Sequence, residues 1–269
     1  MTRITVGTGD LRAALLSVKP HTAAPSDAST PLEWIHCRVE GNNLLVMATD
    51  RYSAGLAIVS VLENDDQAGV PFELSRQEVA ELLLAFKPGK GDLDASVRIE
   101  QKSPDGDLTV TDVSGLWPGK SIAYPRSSGG DDDFPDLALV FAGLVEEPVA
   151  ATVDEFIVAG QRLAAFKAAS SAYSKPLVLE PRGRSLIISA GDSFLGFLAP
   201  ITESDEDRTQ RHGWRADWRR RLARAQASAP DLRRTTGAWL HVVRDGAPDG
   251  VLEVLNVLDD QDSLGEDEL

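Results

Sequence analysis

The chain has few of the residues that chemistry most often uses. Its 269 residues include one cysteine, Cys37, and four histidines, His21, His36, His212 and His241. A single cysteine excludes an internal disulfide, and its place in an apolar, strand-like run marks a buried thiol and not a nucleophile. No Cys/His spacing suits a metal, and no cofactor is implied. No apolar run approaches the ~20 residues that a membrane span needs, and the first residues lack the long apolar core of a signal peptide. A cytoplasmic protein with no membrane partner is therefore expected.

Signatures of catalysis are equally thin. Gly191-Asp192-Ser193 mimics a hydrolase "G-D-S", but that chemistry pairs its serine with a histidine carrying an Asp three residues before it, and none of the four histidines does. A serine without its base stays unactivated. Gly7-Thr8-Gly9 suggests a nucleotide loop, yet position 12, where that loop needs a glycine, is Arg12. No Walker lysine follows a Gly-rich loop. The expectation is a protein that is not an enzyme.

Charge is abundant and unevenly spread. The net charge of −15 by itself argues against a nucleic-acid partner. Residues 208–234, however, hold nine arginines against two aspartates, while residues 245–269 hold nine acidic side chains and no basic one. Such polarity fits a protein that is acidic outside and basic along one surface. Arg219-Arg220-Arg221 needs a counter-charge, which either DNA or the chain's own acidic tail could supply; deleting residues 259–269 discriminates the two.

What the chain does have is repetition. Residues 35–58 lie over residues 177–200 without a gap, placing Gly41 over Gly183, Leu44 over Leu186, Val46 over Ile188, Ala48 over Ala190, Asp50 over Asp192 and Tyr52 over Phe194. Each copy alternates apolar and polar residues about a first turn, then makes a second turn into a third apolar strand, so each predicts a three-strand meander. Before the first meander, Leu11, Ala14, Leu15 and Val18 recur at helical spacing after Thr8 and Asp10, which can cap the start. Before the second, Thr152 with Glu155 forms a capping-box signature ahead of Phe156, Ala159, Leu163 and Phe166. Short strands at residues 3–6 and 149–153 precede both helices. A third copy predicts a strand at 70–74, a helix opened by Ser75 with Glu78 and closed by Pro88-Gly89, and strands at 96–101, 108–113 and 121–124, with a turn at Pro104-Asp105-Gly106. A fourth predicts an Arg-rich helix at about 214–226 and strands at 238–243 and 251–257; residues 203–211 fit either this unit or a linker. In that helix Trp214 and Trp218, four apart, are expected to anchor it through apolar contact.

Two such units make one domain. The chain is long enough for two, at a typical ~100–200 residues each, and the Gly/Asp-rich stretch 127–133 is the natural boundary. The expected fold class is α+β: two domains, 1–130 and 131–269, built from strand-helix-three-strand units with helices on one face and antiparallel sheets on the other.

The run Leu44-Leu45-Val46-Met47-Ala48-Thr49-Asp50-Arg51-Tyr52 resembles the "L-x-L-x-A-T-D" hairpin of bacterial β sliding clamps, the processivity subunit of replicative DNA polymerase. The helix before it and the Phe72-Glu73-Leu74 strand and helix after it follow the clamp order, and Asp133-Phe134-Pro135-Asp136 is similar to the "D-F-P" at a clamp domain junction. The resemblance covers roughly residues 1–201. It implies the DNA clamp fold and a bacterial protein, or a phage protein in a bacterial host; seven lysines against twenty arginines suit a GC-rich genome. It further implies a ring around double-stranded DNA, a tethered DNA polymerase and a clamp loader. Bacterial clamps carry three domains per chain and close as dimers; with two domains a six-domain ring requires a homotrimer. The acidic tail also departs from the family's short apolar-basic end.

A ring that tracks DNA without reading bases needs Lys and Arg on rigid helices facing phosphate. The candidates are Arg12 and Lys19 on the first helix, Arg76 and Lys87 on the second, Arg162 and Lys167 on the third, and Arg215, Arg219, Arg220 and Arg224 on the last. For each, a solvated helix face is the alternative. Thr49, Asp50 and Tyr52 occupy the turn that in clamps borders the groove for partner peptides; Asp50 could equally serve only its own backbone. The rival function is a clamp-fold interaction protein, a monomer that binds a replication or repair factor without enclosing DNA.

Overall fold

The computed structural model describes residues 2–25, 31–64, 70–89, 94–103, 106–126, 134–149, 156–183, 185–227, 239–242 and 253–256. These fall into two compact units, 1–202 and 203–269. The first unit therefore runs past the expected boundary near residue 130.

The first meander forms as its alternation predicts, with β2 at Trp34–Glu40, β3 at Asn43–Thr49 and β4 at Ser53–Asn64. Ahead of it lie β1, Thr2–Gly7, and α1, Thr8–Val18. The expected cap on α1 does not form: Gly7 precedes the helix with no side-chain bond, and Thr8 is buried with its N–H on the Ala95 carbonyl. The third copy is β5, Phe72–Ser75, α2, Arg76–Ala85, β6, Ser96–Gln101, β7, Leu108–Asp112, and β8, Ser121–Tyr124. Ser75 does open α2 with a reciprocal box, its hydroxyl accepting from the Glu78 N–H while Glu78 accepts from the Ser75 N–H. This satisfies two N–H groups that a helix start would otherwise orphan.

The second meander is β9, Val178–Arg182, β10, Ser185–Ala190, and β11, Phe194–Leu198. Its helix begins later than predicted: residues 156–159 are irregular, and two short helices follow, α4 at Gly160–Ala165 and α5 at Lys167–Tyr173. Between the copies stands a helix the periodicity did not announce, α3, Leu137–Glu146. The Thr152/Glu155 box, the strand at 150–153, Pro104-Asp105 and the 127–133 stretch lie outside the described residues.

The eleven described strands of the first unit, β1 to β11, join one antiparallel network in which β4 is the hub. Along Asn43–Thr49 it pairs with β3, while its other edge pairs with β11 near its start and with β1 near its end. Gly55 opposes Gly196 at the β4/β11 seam. A Cβ on Gly196 would stand 2.3 Å from the Phe166 ring, and one on Gly55 2.8 Å from His21, so the two glycines open a trough that these rings fill. The first turns match across the copies: Glu40 opposes Asn43 and Arg182 opposes Ser185, with Gly41 at φ +59° and Gly183 at φ +55°. The second turns do not. Ala48 opposes Gly55, whereas its counterpart Ala190 opposes Phe194, so Phe194 corresponds to Gly55 and not to Tyr52. Tyr52 accordingly is exposed and Phe194 buried.

Both faces of β3 are covered. Leu44, Val46 and Ala48 join the main core with Leu11, Leu15 and Val18 of α1, Val79 and Leu82 of α2, and Phe166 and Ala169 beside and within α5. Leu45 and Met47, on the other face, pack with Leu137 and Phe141 of α3. Period-two alternation puts both sets inside, which explains the unbroken apolar run. Helices α1, α2 and α5 thus share one face, as expected, and α3 takes the opposite one. Cys37 is buried, as its sequence setting predicts, and burial pushes its thiol pKa up.

The second unit contains α6, Asp205–Ala227, longer than the predicted 214–226, and an antiparallel pair, β12 at Trp239–Val242 with β13 at Glu253–Asn256. Residues 205–211 are therefore helix. Residues 238, 243, 251, 252 and 257–269, including the acidic end, lie outside the described residues. Among the described residues no helix is long and apolar enough to cross a membrane.

Candidate partner-binding cleft

The turn from β3 to β4 is built by its own side chains. Asp50 Oδ1 accepts from the N–H groups of Tyr52 (2.9 Å) and Ser53 (2.6 Å) and from the Ser53 hydroxyl (3.1 Å). Thr49 Oγ1 donates to the Ser53 carbonyl (2.8 Å) and accepts from the Arg51 N–H (3.1 Å). Short polar side chains satisfy the turn's backbone in this way because no strand partner is available there. Arg51 sits at φ +77°, a left-handed conformation that costs a non-glycine residue free energy.

Two buried groups brace the turn from below. Ser53 gives its one hydroxyl proton to Asp50, so its oxygen accepts from His21 Nδ1, 3.1 Å away. His21 is fully buried against Phe166 and Phe194. Desolvation lowers its pKa to about 4, partly opposed by the Asp50 charge. The remaining ring nitrogen, Nε2, has no hydrogen-bond partner among the described residues; as an unprotonated lone pair it is the cheaper atom to leave there.

Across from the turn, α3 is fixed at its start. Asp136 caps it by accepting from the Leu139 N–H (3.2 Å) and receives both ends of the Arg38 guanidinium at 3.1 and 3.4 Å. The Arg38 hydrogen bond holds the Asp136 carboxyl below its usual range, and the same bond raises the Arg38 pKa. Phe134 stacks on His36 with ring centres 3.5 Å apart. A cleft of about 360 Å³ remains between turn and helix. Its apolar floor is Ala54, Leu137, Phe141 and Phe197; Thr49 and Arg51 border one side, and Leu32, Pro135 and Val140 complete it.

The predicted partner-binding residues thus gather at one place, though in different roles. Thr49 is buried and lines the cleft, Asp50 is consumed by the turn, and Tyr52 is 51% exposed beside it. Arg162, predicted for DNA, joins them: its guanidinium lies 3.7 Å over the Tyr52 ring and 3.8 Å from Asp50 Oδ2.

The other predicted cations divide. Arg12 donates to the carbonyls of Leu83 and Phe86, closing the C-terminus of α2, and Arg76 donates to the Thr22 carbonyl and hydroxyl. Both therefore serve their own chain. Lys19 is half-buried after α1, while Lys87 and Lys167 are exposed. On α6, Arg215 and Arg219 are exposed, Arg220 pairs with Asp217, and Arg221 lies 5.5 Å over the Trp218 ring. The side chain of Arg224 lies outside the described set. Trp214 and Trp218 are 56% and 59% exposed, so they do not supply the predicted anchor. Ser193 donates to Asp192 and not to a histidine, so the "G-D-S" is turn chemistry.

Sequence reading missed α3, and with it half the cleft. The signal was present in Asp136, a good N-cap, followed by nine residues of which most are apolar.

No protein-family model and no curated protein sequence matches this chain. Solved structures do. The DNA polymerase III β subunit of Thermotoga maritima superposes with a TM-score of 0.53 at 13% identity, covering 77% of this chain and 67% of that one. A candidate DNA polymerase III β subunit of Eubacterium rectale gives 0.52 at 12%, covering 76% and 66%. The DNA polymerase sliding clamp of Bacillus subtilis gives 0.50 at 14%, covering 75% and 64%. The likeness is one of fold: this chain has the α+β architecture of bacterial β sliding clamps and spans about two thirds of their length.

Proposed function

We propose that the chain is a clamp-like processivity factor that holds a DNA polymerase near its template by receiving a peptide of the partner in the cleft between the Asp50 turn and α3. The observation that carries this reading is the cleft itself. An apolar trough walled by a rigid, self-bonded turn and a capped helix suits the capture of large side chains from a flexible segment. No step of bond making is assigned to it.

In the fuller form of this reading the chain encloses duplex DNA as a homotrimer, placed there by a clamp loader, with Lys19, Lys87, Lys167 and the α6 arginines supplying phosphate contacts. Arg12, Arg76 and Arg162 then support helices and turn. One observation favours the rival, a monomer that binds a replication or repair factor without enclosing DNA: residues 1–202 hold 17 basic against 27 acidic side chains, and three of the six predicted cations there are bonded within the chain. Size-exclusion chromatography with light scattering separates the two. A trimer at micromolar concentration is expected for the ring, and a monomer would leave only the rival.

A further inference from the structure

Helix α6 has no covered face among the described residues. From Asp205 to Ala223 every side chain is exposed except Arg211 and Asp217, which are half-buried. A helix that packs on a core buries its apolar stripe; α6 turns one to solvent. Trp214, Trp218 and Leu222 recur at a spacing of four and are each more than half exposed. They therefore stand in a row along one side, roughly 6 Å apart along the axis. A row of arginine runs beside it. Arg215 and Arg219 directly follow the two tryptophans, and Arg211 continues their row by one turn toward the helix start. From the other side Arg221 lays its guanidinium 5.5 Å over the Trp218 ring. Residues 208–224 hold seven arginines against one acidic side chain, Asp217. Arg208, Arg211 and Arg220 have carboxylate partners in Asp205, Glu203 and Asp217, whereas Arg219 has no partner among the described residues.

Several anionic partners would suit the arginines, and the indole rings separate them. A run of carboxylates pairs with guanidinium groups and gives the tryptophans nothing to stack on. Duplex DNA keeps its bases stacked on one another, ~3.4 Å apart along each strand, so it meets the arginines only. An anionic bilayer needs a broad apolar face to sink into it, whereas Asp207 lies two turns before Trp214 on the same side and the arginines adjoin the row. An unpaired strand uses both rows, because its flat bases stack on aromatic rings while its phosphates pair with guanidinium groups.

We propose that α6 is a platform for single-stranded nucleic acid, with bases stacked on Trp214 and Trp218 and backbone phosphates held by Arg215 and Arg219. This goes beyond the processivity reading and does not rest on it: the platform serves a chain that encloses duplex DNA and one that does not. The chain's net charge of −15 repels any polyanion at long range, so binding comes from the local excess of arginine and weakens with salt.

The test is fluorescence anisotropy of the full chain with labelled probes: a mixed-sequence DNA strand of about 16 nucleotides, the RNA of the same sequence, the same DNA annealed to its complement, and an abasic strand with as many phosphates. The base-bearing single strand, as DNA or RNA, should bind at least about fivefold tighter than the abasic one, the low end of one base stacked on an aromatic ring. Trp218→Ala should remove most of that difference and Trp218→Phe should keep most of it. Alanine favours a helix more than tryptophan does, so a loss in Trp218→Ala does not come from melting α6, and far-UV circular dichroism checks this. Arg219→Gln should reduce the slope of log affinity against log salt by about 0.7, the share of one single-strand phosphate contact. An abasic strand or a duplex bound as tightly as the base-bearing strand, an affinity indifferent to Trp218→Ala, or no binding of either single strand would overturn the proposal. So would Trp218-dependent binding of phosphatidylglycerol vesicles in place of the strand. None of these outcomes bears on the cleft.

Discussion

His21 shows how a single residue joins folding to the site. It fills the trough over Gly55, packs at a tilt against Phe166, stacks on Phe194, and positions Ser53 beneath the turn. Its folded pKa of about 4 lies below the ordinary histidine value of 6.5. Between these values the unfolded chain takes a proton that the folded chain refuses, so stability is fully present above about pH 6.5 and declines as pH falls toward 4. Urea midpoints measured across that window should fall with a slope approaching ~1.4 kcal/mol per pH unit from this group, and His21→Gln should flatten it; an unchanged slope would contradict the burial account. Little of this was legible beforehand. Asp50 was readable as a turn residue because local geometry alone determines what a short carboxylate can reach. His21 was not, because its partners come from Ser53, Phe166 and Phe194, far away in sequence. The same holds for Arg12 and Arg76, whose charges suggested DNA and whose acceptors are carbonyls of other segments.

Elements were legible where local signals and burial agreed. The Ser75/Glu78 box predicted the start of α2 to the residue, though the helix stops at Ala85, short of the Pro88-Gly89 expected to close it; Ser75→Ala should cost about 1 kcal/mol, read as a lowered denaturation midpoint. Strands β6 and β8 fall where alternation placed them. The gapless overlay of the two meanders held through the first turn, where two glycines take positive φ, and failed at the second, where Asp50 and Thr49 build a different loop from Gly191-Asp192-Ser193. Periodicity cannot register that difference, because both readings keep the strand apolar. It also missed α3, whose apolar residues point both into the cleft and out to solvent, with Leu139 71% exposed. The β4/β11 seam is a feature of paired elements and invisible to either alone. Because a Cβ on Gly196 meets the Phe166 ring, Gly196→Ala should destabilise the fold by roughly 1–3 kcal/mol, whereas the same change at Gly143, where nothing lies within 4 Å, should not. Thermal melts of the two variants compare them directly.

At the scale of the molecule, duplication, order and the hairpin pattern pointed to a clamp fold, and the superposition at 0.50–0.53 bears out that fold. The unit boundary at 202 was not foreseen, since a composition change near residue 130 says nothing of the sheet that runs through β4 into β11. If the proposed enclosure of DNA uses the arginines concentrated on α6, binding should depend on salt: affinity should fall as a power of ionic strength, and deleting residues 259–269 should raise it if the tail competes for the same arginines. Filter binding at several salt concentrations reads both effects. The most direct test of a processivity tether is topological. The chain is cross-linked in the presence of nicked circular plasmid, washed in high salt, and filtered through gel before and after the plasmid is cut. Retention on the circle and release from the linear form is the predicted result; protein that never co-elutes with the circle, or that stays on the cut DNA, would contradict enclosure.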